Sequence, residues 1–327
     1  MAARSGDARV NEVKRATAKG AAVGSYAGKR VLVTGATGFL GSHLCDALAG
    51  AGAEVHAVSR TPPDSATGAR RWHAGDLSSM STVEKVVRAS RPDVVFHLAG
   101  HSMGSRDLDL VLPSLRSELV PMVNMLTAVA QRGKARLVLA ASLEEPVAAP
   151  AVPSSPYAAA KWAGTGFARM FHLLYATPVV ITRPFMTYGP GQRVDKLVPY
   201  VIQSLLRGEA PRLSSGRRMV DWIYVDDLVR GLLLAGDRPG MEGAELDLGS
   251  GRLVSVRQVV QQLVRATGST VAAQFGALPD RPFEVERRAD ADTTRDRLGW
   301  QAEISLEDGL QRTVEWYRVH ERPSVCT

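Results

Sequence analysis

"VTGATGFLGSHL" runs from Val33 to Leu44, with glycine at every third place: Gly35, Gly38 and Gly41. The run that leads into it, "KRVLVTG" (29–35), is short, β-branched and apolar, which reads as a buried strand. The run that leaves it, "FLGSHLCDALAGAG", repeats Leu40, Leu44 and Leu48 at helical spacing. A glycine-rich turn between a strand and a helix has a definite chemistry. Side chains there would clash in the tight turn, keep a pyrophosphate off the backbone, or hold the helix away from the strand. The helix start offers free N–H groups and the positive end of a dipole. The spacing therefore predicts dinucleotide binding.

Working outward, "AEVHAVSR", "PDVVFHLAG", "ARLVLAAS" and "PVVITRP" read as further strands with helix-like segments between them. "DDLVRGLLLA" reads as a helix and "AELDLG" as a late strand. Alternation of this kind predicts an α/β fold built on a doubly wound parallel sheet of the Rossmann type, with its ligand at the carboxyl ends of the strands. The stretches 186–218 and 252–290 are richer in Gly, Pro and charge and predict a smaller C-terminal substrate lobe. The expected division is a mobile tail over 1–27, a nucleotide-binding domain over 28–185 and about 219–251, and a substrate-binding lobe over about 186–218 and 252–327. Near the end, Leu306, Leu310 and Val314 follow Ser305 and precede or flank Asp308 in the pattern of a capped amphipathic helix.

The end of the second strand selects the cofactor. An NAD site commonly has a carboxylate there for the ribose hydroxyls. Here the strand ends in Ser59 and Arg60. No acid repels a 2′-phosphate and an arginine stands ready to pair with it, which predicts NADP over NAD. The net charge of +7 on 327 residues suits an anionic small substrate or a phosphorylated cofactor. The arginines are scattered, with no aromatic-interleaved basic patch, so no nucleic-acid partner is expected. No apolar run reaches membrane-spanning length and the basic N-terminus has no apolar secretory core, so no membrane partner is expected either. Two cysteines, Cys45 and Cys326, exclude a disulfide framework and fit a reducing cytoplasm. His97 and His101 have no ligand cluster around them, so no metal is expected.

"SSPYAAAK" (154–161) sets Tyr157 and Lys161 one helical turn apart, on one face. The pair alone does not separate two surface neighbours from a proton donor and its tuning cation.

Taken together, "TGATGFLG", "AGDLSS", "VVFHLAG", "SSPYAAAK", "RPFMTYGPGQ", "DWIYVDDLVRGLLLA" and "LGW" resemble the extended short-chain dehydrogenase/reductase family, in that family's order and from about Lys29 to Tyr317. Within it the chain looks most like nucleotide-sugar epimerases, dehydratases and ketoreductases. The resemblance implies that Gly35, Thr37, Gly38, Phe39, Leu40 and Gly41 surround the pyrophosphate. It implies that Asp76 and Leu77 border the adenine, that Leu98, Ala99 and Gly100 lie along the cofactor, and that Pro184 and Phe185 approach the nicotinamide. Ser142, Tyr157 and Lys161 would form the catalytic set. A lysine ammonium and a nicotinamide cation favour the phenolate, so the expectation is a tyrosine pKa brought below its ordinary value near 10. Lys161 would also reach the nicotinamide ribose.

Some positions depart from the family pattern. Met186 stands where the family often has Asn, and Val220 where it often has a phosphate-gripping Arg. Arg217 or Arg218 could replace the latter, and Arg281 in "DRPFEV" matches another phosphate-contacting Arg; Ser102 completes the expected substrate residues. The family's Asn-x-x-Gly-Thr motif is replaced by "ELVPM", with Glu118 in the Asn position. In "SLEEP", Glu144 has the offset from Ser142 of a dehydratase acid or base, while Leu143 replaces the usual Asp. The expectation is an NADP(H)-dependent oxidoreductase of a nucleotide-activated sugar, a ketoreductase first and a 4-epimerase or 4,6-dehydratase second, working as a homodimer. A non-catalytic NADP sensor is the rival from another class.

Overall fold

The computed structural model describes residues 26–63, 70–100, 104–133, 135–146, 152–284 and 286–320. The expected tail, apart from Tyr26 and Ala27, lies outside them, as do His101, Ser102 and Cys326. Tyr26, read from the sequence as part of the tail, is instead fully buried, and its hydroxyl donates to Leu233 O at 2.7 Å.

Twelve strands form among these residues: β1 (Arg30–Thr34), β2 (Glu54–Ser59), β3 (Arg70–Ala74), β4 (Val94–His97), β5 (Arg136–Ala140), β6 (Val179–Pro184), β7 (Met186–Tyr188), β8 (Arg212–Leu213), β9 (Met219–Tyr224), β10 (Glu245–Leu248), β11 (Leu253–Ser255) and β12 (Gln274–Phe275). Seven make one sheet in the order β10-β6-β5-β4-β1-β2-β3, and every pairing in it is parallel. The central strands β1, β4, β5 and β6 are almost wholly buried. That explains why they read as apolar runs without alternation, since helices cover both faces of such a sheet.

The helices are α1 (Phe39–Gly50), α2 (Met80–Ser90), α3 (Val111–Ser114), α4 (Val120–Arg132), α5 (Pro156–Tyr175), α6 (Leu197–Leu206), α7 (Val225–Asp237), α8 (Val256–Thr267), α9 (Ala291–Leu298) and α10 (Leu306–His320). Between α3 and α4 the chain winds through a π-helical turn, Leu115–Leu119. Pro121 follows it at the start of α4. Proline lacks the N–H that would bond Ser117 O and its ring crowds that carbonyl, so the chain widens there. The predicted C-terminal helix is α10, and Ser305 Oγ caps it by accepting from Asp308 N at 3.1 Å.

Two smaller sheets stand apart from the large one, β11-β9-β7 and β12-β8. The expected boundary at 219 falls at the start of β9, which pairs with β7 and β11 rather than with the large sheet. The helix after it, α7, is the part of that stretch that packs on the large sheet, against β5 and β6. Trp300 of "LGW" is fully buried under α7, and its indole N–H donates to Asp227 O at 3.1 Å.

Candidate active site

The glycine loop has the shape the sequence implied. Gly35 has φ +68°, and a Cβ there would lie 2.9 Å from Ala99 N and Leu98 O. A Cβ on Gly41 would lie 2.2 Å from Gly35 O. Gly38 is the N-cap of α1 and offers no capping side chain, so the first amides of the helix are left for a ligand. These features fit a dinucleotide pyrophosphate. Phe39 and Leu40 begin α1, partly buried against the core.

Around the loop, Thr34 Oγ1 accepts from Leu98 N and Ala99 N at 3.1 and 3.0 Å and lies 3.0 Å from His97 Nδ1. With both lone pairs used, the hydroxyl proton goes to Nδ1, and His97 is a neutral structural residue. Burial, helped by repulsion from Lys161, pushes its pKa down to about 3. Ser59 Oγ lies 3.2 Å from Thr37 Oγ1, and Arg60 is exposed beside it. Asp76 Oδ1 accepts from Ser78 N at 2.9 Å, while Asn124 of α4 donates to Leu77 O and Ser78 O at 2.9 and 3.0 Å. Asn124 thus fixes the Asp76–Leu77 turn, and nothing in the sequence pointed to it.

Tyr157 and Lys161 lie in the first two turns of α5, which Pro156 opens and Ser155 caps by accepting from Ala158 N at 3.1 Å. Lys161 is buried. Its ammonium donates to Ala140 O at 3.0 Å, pairs with Glu118 Oε2 at 3.0 Å and lies 5.9 Å from the Tyr157 ring centroid. Burial alone would lower its pKa; the negative charge of Glu118, with Tyr157, reverses that and raises it. Ser142, two residues past β5, hydrogen-bonds Tyr157 and accepts from Glu144 N at 3.2 Å.

The surroundings of Tyr157 pull on its proton in opposite directions. Lys161 and the Ser142 hydrogen bond do pull its pKa down, but burial outweighs them, and Glu118 and Glu144 push the same way as burial. The net shift is upward.

Two buried carboxylates were not assigned from the sequence. Glu118, on the π turn, shows in the sequence only as a replacement for Asn. Glu145, beside the singled-out Glu144, is the buried member of the pair. It accepts from Ser142 N at 2.8 Å and from Thr165 Oγ1 at 2.9 Å, and it lies 3.7 Å from Arg183 Nη2. Glu144 itself is partly exposed.

At the other end, Ser215 N and Oγ donate to Asp280 Oδ1 at 3.0 and 2.8 Å, tying the turn that carries Arg217 and Arg218 to the one that carries Arg281. Arg218 pairs with Glu284 at 3.1 Å, while Arg217 and Arg281 are exposed. Arg281 also borders Gly104, where a Cβ would lie 3.4 Å from Nη1. Pro184 ends β6, Phe185 is buried beyond it, and Met186, partly buried, begins β7. Val220 is buried in β9 and cannot serve the surface as an arginine would. Among the described residues, no group of three or more His, Cys, Asp or Glu is arranged to hold a metal ion, and no helix is long and apolar enough to cross a membrane.

The sheet order, the glycine cradle and the Ser-Tyr-Lys constellation at the strand ends define a dinucleotide-dependent oxidoreductase. Residues 31–248 match the NAD dependent epimerase/dehydratase family. The chain belongs to that family and is an enzyme of the extended short-chain dehydrogenase/reductase type, in its nucleotide-sugar group. It is 31% identical to a dTDP-glucose 4,6-dehydratase of Streptomyces griseus, over 89% of this chain and 94% of that protein. It is similar to the UDP-glucose 4-epimerase of Thermotoga maritima, solved with UDP-glucose, at 26% identity and TM-score 0.80 over 89% of this chain and 99% of that one. It is also similar to MoeE5, solved with UDP-glucose and NAD, at 31% identity and TM-score 0.79 over 89% and 99%.

The cradle yields a direct test. An alanine at Gly35 must take a left-handed conformation that costs about 1–2 kcal/mol and press on Ala99. Gly35→Ala is expected to weaken dinucleotide binding at least tenfold by titration calorimetry. An unchanged affinity would show that the ligand does not approach this loop.

Proposed function

We propose that the protein is an NADP(H)-dependent ketoreductase of a nucleotide-activated sugar. The observation that carries this reading is the cluster of Ser142, Tyr157 and Lys161 beside the glycine cradle, with the Lys161 ammonium 5.9 Å from the Tyr157 ring centroid. Gly35, Gly38 and Gly41 would take the pyrophosphate, and Arg60, with Ser59 and Thr37 beside it, a 2′-phosphate. The cofactor, when bound, supplies the hydride that a keto carbon accepts. Ser142 and Tyr157 hold the carbonyl oxygen, and Tyr157 gives it a proton as the carbon is reduced, so one proton and one hydride make the hydroxyl. Lys161 orients the phenol and, on release of its proton, stabilises the phenolate. Arg217, Arg218 and Arg281, on two turns tied by Ser215 and Asp280, suit the diphosphate of the substrate.

One observation favours a second reading. The charge of Glu144 acts on Tyr157, which suits a proton transfer in loss of water from the sugar, and a relative at 31% identity is a 4,6-dehydratase. A homodimer is the third part of the proposal. Leu108, Leu112 and Leu115 on one side, and Trp162, Leu173 and Leu174 of the adjoining α5 on the other, are exposed apolar side chains of a size a second copy would cover.

Tyr157→Phe should cut turnover of a nucleotide-linked keto sugar ~10²–10⁴-fold with dinucleotide binding kept; full turnover in this variant would end the proton-donor assignment. Glu144→Gln, which cannot exchange a proton, should retain most of that turnover. A wild-type product that has lost water, with reduced cofactor absorbance building up in the Gln variant, would replace the reductase by the dehydratase. Arg60→Asp should move the preference from NADPH toward NADH, read as the ratio of kcat/KM values, because it removes a phosphate partner and adds repulsion. The same ratio in both proteins would place Arg60 away from the cofactor. Sedimentation should give a particle of twice the 35.1 kDa chain, and a monomer at micromolar concentration would refute the dimer.

A further inference from the structure

Glu118 is a carboxylate with almost no exposure to solvent, and such a group is costly unless its charge is used. Its place on the π turn aims it under the end of β4. A Cβ on Gly100 would lie 2.4 Å from Oε2 and 2.8 Å from Oε1, so only glycine leaves room for the carboxylate there. From that position it meets the ammonium of Lys161 at 3.0 Å, on the side away from solvent.

We infer that Glu118 is a positioning residue for the Tyr157–Lys161 pair: it clamps the ammonium against Ala140 O and offsets part of its charge, which weakens the pull of Lys161 on the Tyr157 proton and favours the form that gives a proton to a carbonyl. This rests on the catalytic reading of Tyr157 and deepens it by giving the site a preferred direction. A lone buried ammonium would draw the phenol further toward phenolate and suit removal of a proton from a sugar hydroxyl. A compensated one suits reduction.

The other charged groups around the pair remain in place when Glu118 is altered. Glu145, from the loop after β5, is engaged by Ser142 N, Thr165 and Arg183 of β6. Glu144, on the same loop, acts on Tyr157 from the open side. His97, at the end of β4, is neutral. Removing the Glu118 charge therefore leaves Lys161 as the dominant field on the phenol.

The test follows Tyr157 by carbon NMR of protein labelled at tyrosine Cζ, with Tyr157→Phe identifying its signal among the seven tyrosines. Glu118→Gln keeps the size and an acceptor for Lys161 but no charge. It is expected to lower the proton affinity of Tyr157 at least about tenfold, the order of effect of one nearby unit charge in a site removed from water. The profile of keto-sugar reduction should then begin to fall at correspondingly lower pH. A folded Gln variant whose Tyr157 titrates as in the wild type overturns the inference and leaves Glu118 a packing residue. If the Gln variant does not fold, Glu118→Asp decides: the shorter carboxylate sits farther from Nζ and should shift Tyr157 in the same direction by less, and no shift again overturns it. Neither result depends on substrate, so full turnover by Tyr157→Phe would sink the catalytic reading while leaving the titration to stand or fall alone.

Discussion

Lys161 carries an ammonium into the protein interior, and several otherwise unrelated features follow from that. An uncompensated buried charge costs several kcal/mol, so it needs partners on every side that water would have occupied. Ala140 O, at the last residue of β5, provides one and Glu118 the other. Glu118 reaches its place because the helix between α3 and α4 is widened ahead of Pro121, and because Gly100 presents no side chain. The irregular helix, the glycine after β4 and the buried acid are one arrangement, and each would be a defect without the others.

A second buried network holds the opposite wall. Arg183 of β6 contacts Asp247 of β10 at 2.7 Å, Glu245 at 3.3 Å and Glu145 at 3.7 Å. Glu145 in turn accepts from the backbone of Ser142. The position of the serine hydroxyl is thereby tied to three neighbouring strands of the large sheet, β5, β6 and β10. Asp221 does similar work for the smaller sheets, accepting from Ser250 N at 2.7 Å, Gly251 N at 2.9 Å and Ala289 N at 3.0 Å. Loops that meet the site are fixed by buried carboxylates bound to backbone amides, a strong form of hydrogen bond that a mobile loop could not supply.

What could be read from the chain divides along the same line. The large sheet was legible because β1, β4, β5 and β6 are buried on both faces and announce themselves as apolar runs. The glycine loop was legible because its spacing answers a steric demand that glycine alone meets. Glu118 and Glu145 were not legible as site residues, since a carboxylate in a polar stretch reads as surface until its burial is seen, and "SLEEP" points to the partly exposed acid as readily as to the buried one. The charge that offsets Lys161 was not legible for a related reason. The lysine was visible at one helical turn, whereas the acid that offsets it comes from 43 positions earlier in the chain. The smaller sheets were placed only in outline, because strands of two or three residues, such as β8 and β12, carry too few positions to show a period.

The balance of charge around Tyr157 bears on how one scaffold serves several reactions. The tyrosine and lysine are the same whether a site removes a proton from a hydroxyl or delivers one to a carbonyl; the balance of nearby charge decides which form of the tyrosine is at rest. In this chain the balance includes one buried cation, one buried anion in contact with it and a second anion near the rim. Binding of an oxidised, cationic nicotinamide ring would add a positive charge and favour the phenolate, while a reduced, uncharged ring would not. An oxidised ring would thus favour the tyrosine form that takes a proton, and a reduced ring would leave the form that gives one. Glu118 sets the starting point of that alternation, which is why its effect belongs on the proton affinity of Tyr157 rather than on the grip of the glycine loop.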